Sequence, residues 1–235
     1  MPLIEIDSVV KGYGGLRPLR LRGLRVDAGE AVAIHGPDRA AAAVITDLLT
    51  GTTLPDEGEV RISGLPTASI AGPDEWMAFL DRFGLVNDRV VLLDQLTLAQ
   101  NLAVPHTLDL DPIPPEVVPV VARAADEVGL ERAALDTPLA SVSPLARLRV
   151  RLGRALAHAP AILVLEHPTA DLDARGVAAL SALLRRIRAA RRLALVIVTA
   201  DDRARRLGGA RALAWRPATG GLAQAGFLGR WLSSR

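Results

Sequence analysis

Strands that alternate with helices predict an α/β fold with a largely parallel, buried sheet. Three observations carry that expectation. Uncharged apolar runs of strand length, such as Leu193-Ala-Leu-Val-Ile-Val198, read as strands covered on both faces. Amphipathic patterns, such as the stretch near 174–190, separate successive runs and read as helices. The segment "RPLRLRGLRV" (17–26) instead alternates apolar and basic residues, as a half-exposed antiparallel strand does.

Taken in order, residues 3–7 and about 17–26 read as strands, 30–35 as a buried strand and 39–50 as a helix. "PDEGEVRISG" (55–64) is a turn followed by a strand. A helix over 73–82 opens on Pro73 and the acidic pair Asp74-Glu75, which suit a helix start. The region from about 95 to 159 reads as helical. Thr97 with Gln100 forms a capping-box pattern, "PIPPEVVPVVARAADEVGL" holds a proline-opened helix, and Ser143-Pro144 is a strong N-cap and first-turn pair. Alternation then resumes with a strand at 161–166, a helix near 174–190, a strand at 193–199, a short helix near 201–207 and strands near 210–216 and 222–226. All 235 residues are expected to form a single domain.

Composition narrows the function classes. Half of the residues are apolar, enough for a sizeable core. No cysteine is present, which removes disulfide and thiolate chemistry and disfavours zinc. The opening "MPLIEIDSVV" lacks a basic segment followed by a long apolar run, and the apolar runs are too short to span a bilayer, so a cytoplasmic location is expected. The formal net charge is only +2, and Lys11 is the sole lysine. The arginine run "RRIRAARR" (185–192) reads as the solvated face and C-terminal end of a helix, where cations suit the macrodipole. With 3% aromatic residues, nucleic acid is not an expected partner.

The stretch "HGPDRAAAAVITDLLTG" (35–51) has the strand–loop–helix context of a phosphate-binding loop without its residues. Counting from Gly36, the positions that should hold Gly, Lys and Ser or Thr hold Ala41, Ala42 and Ala43. Asp38 stands at the N-cap position of the following helix. Its carboxylate is expected to accept the N–H groups that a phosphate would otherwise take, and to repel a triphosphate.

The order and spacing of "GEAVAIHGP" (29–37), "LLTGTTLPDEGEVRISG" (48–64), "LLDQLTLAQNLAVP" (92–105) and "GRALAHAPAILVLEHPTADLD" (153–173) resemble the nucleotide-binding domain of ABC transporter ATPases. The resemblance runs from about residue 3 to 226. It implies a P-loop NTPase-like sheet core with an antiparallel β subdomain and a helical subdomain at about 95–159. It also implies ATP and Mg²⁺ as cofactors, a dimer with itself or a partner ABC ATPase, and a membrane permease reached from the inner face of the membrane. The later part of the helical segment resembles ATPases of lipid- and lipoprotein-trafficking systems.

Residue by residue, the resemblance places Arg39 and Ala41 at glycines of the phosphate loop, Ala42 at its lysine and Ala43 at its Mg²⁺-binding hydroxyl. Glu166 stands where the Mg²⁺-supporting Asp would be, and His167 where the water-activating Glu would be. Imidazole can act as a general base, but a His at a polar strand end with no phosphate beside it is the better reading. The signature loop is matched by Val142-Ser143-Pro144-Leu145-Ala146. Ser143 keeps the serine, and Pro144 has no N–H for a γ-phosphate. Asp88 corresponds to the γ-phosphate-sensing glutamine and Ala200 to the late histidine. Tyr13 matches the adenine-stacking aromatic or is a partly buried tyrosine beside a glycine turn. Asp173 ends the partner-contacting loop or caps the next helix.

Losing one preorganised donor typically costs about 2.7–4 kcal/mol of barrier lowering, and here several are replaced together. The favoured expectation is therefore a non-catalytic or regulatory subunit of a membrane transport system. A working ATPase with substitutes remains open, with Arg39 for charge, Glu166 or Asp88 for Mg²⁺ and His167 as base. So does an unrelated use of the fold.

Overall fold

The computed structural model describes residues 2–14 and 17–224. The chain runs β1 (Ile4–Lys11), β2 (Leu19–Leu21), β3 (Leu24–Val26), β4 (Ala31–His35), α1 (Arg39–Leu49), β5 (Glu57–Ile62), β6 (Leu65–Pro66), α2 (Pro73–Leu80), β7 (Phe83–Val86), α3 (Leu98–Ala103), α4 (Val118–Val128), α5 (Pro144–Leu156), β8 (Ile162–Glu166), α6 (Ala174–Arg191), β9 (Ala194–Thr199), β10 (Arg211–Arg216) and β11 (Gly221–Gln224). These strands form two sheets. One is antiparallel, with order β2-β1-β5-β6 and β3 also paired to β1; the other has order β11-β10-β4-β9-β8-β7. In the second sheet only the β10–β11 pair is antiparallel.

The central strands are covered on both faces, which explains their uninterrupted apolar sequences. Strand periodicity of two divides their side chains between two cores. Val32, Ile34, Ile162, Val164, Val196 and Val198 pack with α1 and with the antiparallel sheet. Ala33, Leu163, Leu165, Leu195 and Ile197 face the opposite way, onto residues of α3, α4, α5 and α6. The parallel sheet is thus the middle layer. The carboxyl ends of β4, β8 and β9 lie side by side, with His35 opposite Thr199 and Glu166 opposite Val198.

Four elements differ from the sequence expectation. The strand expected over 17–26 is broken into β2 and β3 at Arg22-Gly23, where the Arg22 N–H turns to the Gly220 carbonyl and Gly23 adopts φ 71°. The helical region of 95–159 is discontinuous: Val104 to Val117 form no α-helix, and prolines at 105, 112, 114 and 115 account for that. The short helix expected near 201–207 is a single 3₁₀ turn, Asp202–Ala204, with a second at Leu207–Gly209. Strand β7 falls in a stretch where the sequence predicts no element. The end of the strand expected at 222–226 lies outside the described residues, as does the end of the stretch that carries the resemblance. No described helix is long and apolar enough to cross a membrane.

Candidate functional site

The loop from β4 to α1 is closed on itself. Asp38 has extended backbone angles and is the N-cap of α1, its Oδ1 accepting the Ala41 N–H at 2.8 Å. That carboxylate satisfies one of the orphan donors of the first turn. Ala41 and Ala42 are buried, at 1% and 0% exposure, and pack into the core beneath the antiparallel sheet. Gly36 has φ 117°, and its N–H donates to the Thr199 carbonyl at 2.9 Å. The Gly36 amide is therefore committed to the neighbouring strand end.

Arg39 pairs with the segment that follows β7. Its Nη1 lies 2.7 Å from Asp88 Oδ2, and Arg151 Nη1 approaches Asp88 Oδ1 at 3.6 Å. Arg39 and Asp88, 49 residues apart in sequence, are thus brought together, although both are largely exposed and the pair is weak.

Glu166, at the carboxyl end of β8, is 10% exposed and accepts twice at Oε1. The donors are Arg89 Nη2 at 2.6 Å and Asn87 Nδ2 at 3.0 Å. Arg89 reaches in the other direction to Asp47 of α1, Nη1 to Oδ1 at 2.8 Å. Asn87 is buried, and its Oδ1 accepts the N–H groups of Arg89 and Val90, both at 3.1 Å. Asp47, Asn87 and Arg89 were not anticipated from the sequence. The available signal was Glu166 itself, an acid ending a buried strand, which requires a counter-charge.

His167 follows with φ 45°, its N–H bonded to the Val198 carbonyl at 3.0 Å. Its Nε2 is buried without a hydrogen-bond partner. His167, Glu166, Asp88 and Arg151 line one small pocket; Tyr13 and Ser143 lie outside it. Tyr13 is half-buried against the core that contains α1. Ser143 caps α5, Oγ accepting the Ala146 N–H at 3.3 Å, with Pro144 in the first turn. Asp173 caps α6 by accepting the Gly176 N–H at 2.7 Å.

The loops after β8 and β9 are laced together. Thr169 Oγ1 donates to Asp201 Oδ2 at 2.6 Å. Arg203 binds Asp201 and donates to the carbonyls of Leu172 at 2.7 Å and Thr169 at 2.9 Å. The Arg203 guanidinium, helped by Thr169 and the Arg203 N–H, holds the Asp201 carboxyl down at about 2 against the opposing effect of burial. At the end of β4, His35 Nε2 lies 2.8 Å from Asp202 Oδ1, which also binds Arg205.

A family model described as "ABC transporter" matches residues 20–170. The lipoprotein-releasing system ATP-binding protein LolD of Anaeromyxobacter dehalogenans is 30% identical over 208 residues, covering 86% of this chain and 86% of that protein. The methionine import ATP-binding protein MetN of Brucella abortus is 31% identical over 199 residues; the match covers 84% of this chain, which spans only about half (53%) of that relative. Among solved structures, the dimeric bacterial ABC transporter cassette MJ0796 superposes with a TM-score of 0.74 at 23% identity, covering 95% of this chain and 100% of the other. That likeness establishes the shared fold. With a middle parallel sheet, an antiparallel sheet over α1 and helices on the far face, the chain belongs to the ABC transporter family and resembles its ATP-binding subunits.

Proposed function

We propose that this chain is a non-catalytic subunit of an ABC-type membrane transport system. It docks on a permease, a partner ABC ATPase, or both, and acts structurally or as a regulator at the inner face of the membrane. The likeness to LolD favours a system that handles lipid or lipoprotein. The observation that carries the proposal is the Asp38 carboxylate on the Ala41 N–H, a negative charge at the helix N-terminus where the family places a phosphate.

The residues present do not fit Mg-ATP as the family holds it. Ala42 offers no ammonium, Ala43 offers no hydroxyl, and the Gly36 N–H is already bonded to Thr199. Among the described residues no cluster of three His, Asp or Glu side chains is placed to hold a metal ion. The alternative of a working ATPase would need Arg39 and Asp88 to separate from each other and Glu166 to leave Arg89. His167 favours that alternative in one respect, because its Nε2 is free. In a dimer whose sites combine one subunit's phosphate loop with the other's signature loop, both sites would be altered. Pro144 supplies no N–H to the partner, and Asp38 closes the loop on this side.

The test is phosphate release by the purified chain with Mg-ATP, beside its copurification from membranes. No release, with a permease recovered in fixed proportion, supports the proposal. Steady hydrolysis that His167→Ala removes would overturn it.

A further inference from the structure

We propose that Arg89 is a built-in counter-cation. For the carboxylates of Asp47 and Glu166 its guanidinium takes the place of a bound metal ion, so the junction of α1 and β8 is held together without ligand. The inference rests on the reading of the chain as one that does not use Mg-ATP.

Three elements meet at this guanidinium. Asp47 belongs to α1, Arg89 to the loop after β7, and Glu166 to the end of β8. The two ion pairs, at 2.8 and 2.6 Å, diverge from one planar fork, a geometry that guanidinium supports and a single point charge does not. Of the three charges Glu166 is the least exposed, at 10% against 30% for Asp47 and 46% for Arg89, so the strongest demand for a partner falls on Glu166. The loop is preset for the purpose, since the buried Asn87 both donates to Glu166 and accepts the backbone N–H of Arg89. Carboxylates are the donor type that hard divalent cations prefer, and two meet here, while Asn87 turns its amide nitrogen to Glu166 and its oxygen to the loop backbone. With Arg89 in place, one of the two carboxylate charges is already compensated from within.

The experiment is thermal melting of the full chain with and without millimolar Mn²⁺, for wild type, Arg89→Ala, Arg89→Lys and Arg89→Ala combined with Glu166→Gln. Wild type is expected to melt at the same temperature with and without Mn²⁺. Arg89→Ala should melt about 4 °C lower or more, because an uncompensated, largely buried carboxylate remains. Mn²⁺ should recover part of that loss, and the recovery should vanish when Glu166→Gln is added. Arg89→Lys, which keeps the charge without the fork, should fall between and covers the case in which Arg89→Ala does not fold. Unchanged melting of the arginine variants would overturn the inference, as would a destabilised Arg89→Ala that Mn²⁺ does not help. So would stabilisation of wild type by Mn²⁺ that Glu166→Gln removes. Mg-ATP binding by wild type, beside a Mn²⁺ response confined to Arg89→Ala, would instead sink the non-catalytic reading and leave Arg89 in its role.

Discussion

Replacing Asp38 with alanine removes two separable things. One is the hydrogen bond to the Ala41 N–H, at 2.8 Å, and the other is a negative charge at the positive end of an 11-residue helix. The lost N-cap bond costs about 1 kcal/mol, and the charge–dipole part about 0.3–1 kcal/mol at an exposed position. For a chain of this size, 1 kcal/mol moves the melting temperature by about 2–4 °C. Asp38→Ala is therefore expected to melt roughly 3–8 °C below wild type. Asp38→Asn keeps an oxygen acceptor and loses only the charge, so it should lose no more than half as much. Adding salt should narrow the gap between Asn and wild type by screening, and leave the gap between Ala and Asn in place. Scanning calorimetry of the three proteins at two ionic strengths measures this directly. An Asp38→Ala variant that melts with wild type, or an Asn variant that falls as far as Ala, would refute the assignment of Asp38 as the group that satisfies the helix start.

Gly84 of β7 has no room for a side chain. A Cβ there would stand 2.5 Å from the Ala155 carbonyl oxygen, a backbone atom of α5, so Gly84→Ala should cost about 1–3 kcal/mol in urea unfolding. Arg191 forks onto both oxygens of Glu127 and donates to the Leu156 carbonyl, pinning α6 to α4 and α5. Arg191→Ala should cost about 1–2 kcal/mol, and Arg191→Lys should recover little of it. The Asp201 carboxyl titrates at about 2 in the fold against 3.8 ordinarily. A depressed carboxyl contributes stability that is complete above its unfolded value and is lost as pH falls through the folded one. The gap between wild type and Asp201→Asn, on the order of 1 kcal/mol at pH 7, should persist to about pH 4 and close toward pH 2 in unfolding titrations.

Local signals carried most of the architecture. The Thr97–Gln100 capping box forms in both directions, and Ser143 with Pro144 opens α5 where the residues indicated. The expected run 161–166 is Ile162–Glu166 in the fold, and the expected helix near 174–190 is Ala174–Arg191. Strand β7 escaped because "FGLV" is four residues long, contains a glycine and follows α2 with no turn signal. It is a strand because β8 pairs with it and α5 covers Gly84. The capping by Asp38 was legible because it is a three-residue interaction. The pairing of Arg39 with Asp88 and of Arg89 with Glu166 was not, since the first joins residues 49 positions apart and the second 77, and no local spacing encodes such a partner.

The account turns on whether the α1 N-terminus is open to a triphosphate. Titrating Mg-ATP into the purified chain by isothermal calorimetry tests this most directly. A self-capped loop without the lysine and the hydroxyl predicts no saturable heat up to millimolar nucleotide, in wild type and in Asp38→Ala alike. A saturating isotherm with micromolar affinity for wild type would contradict it.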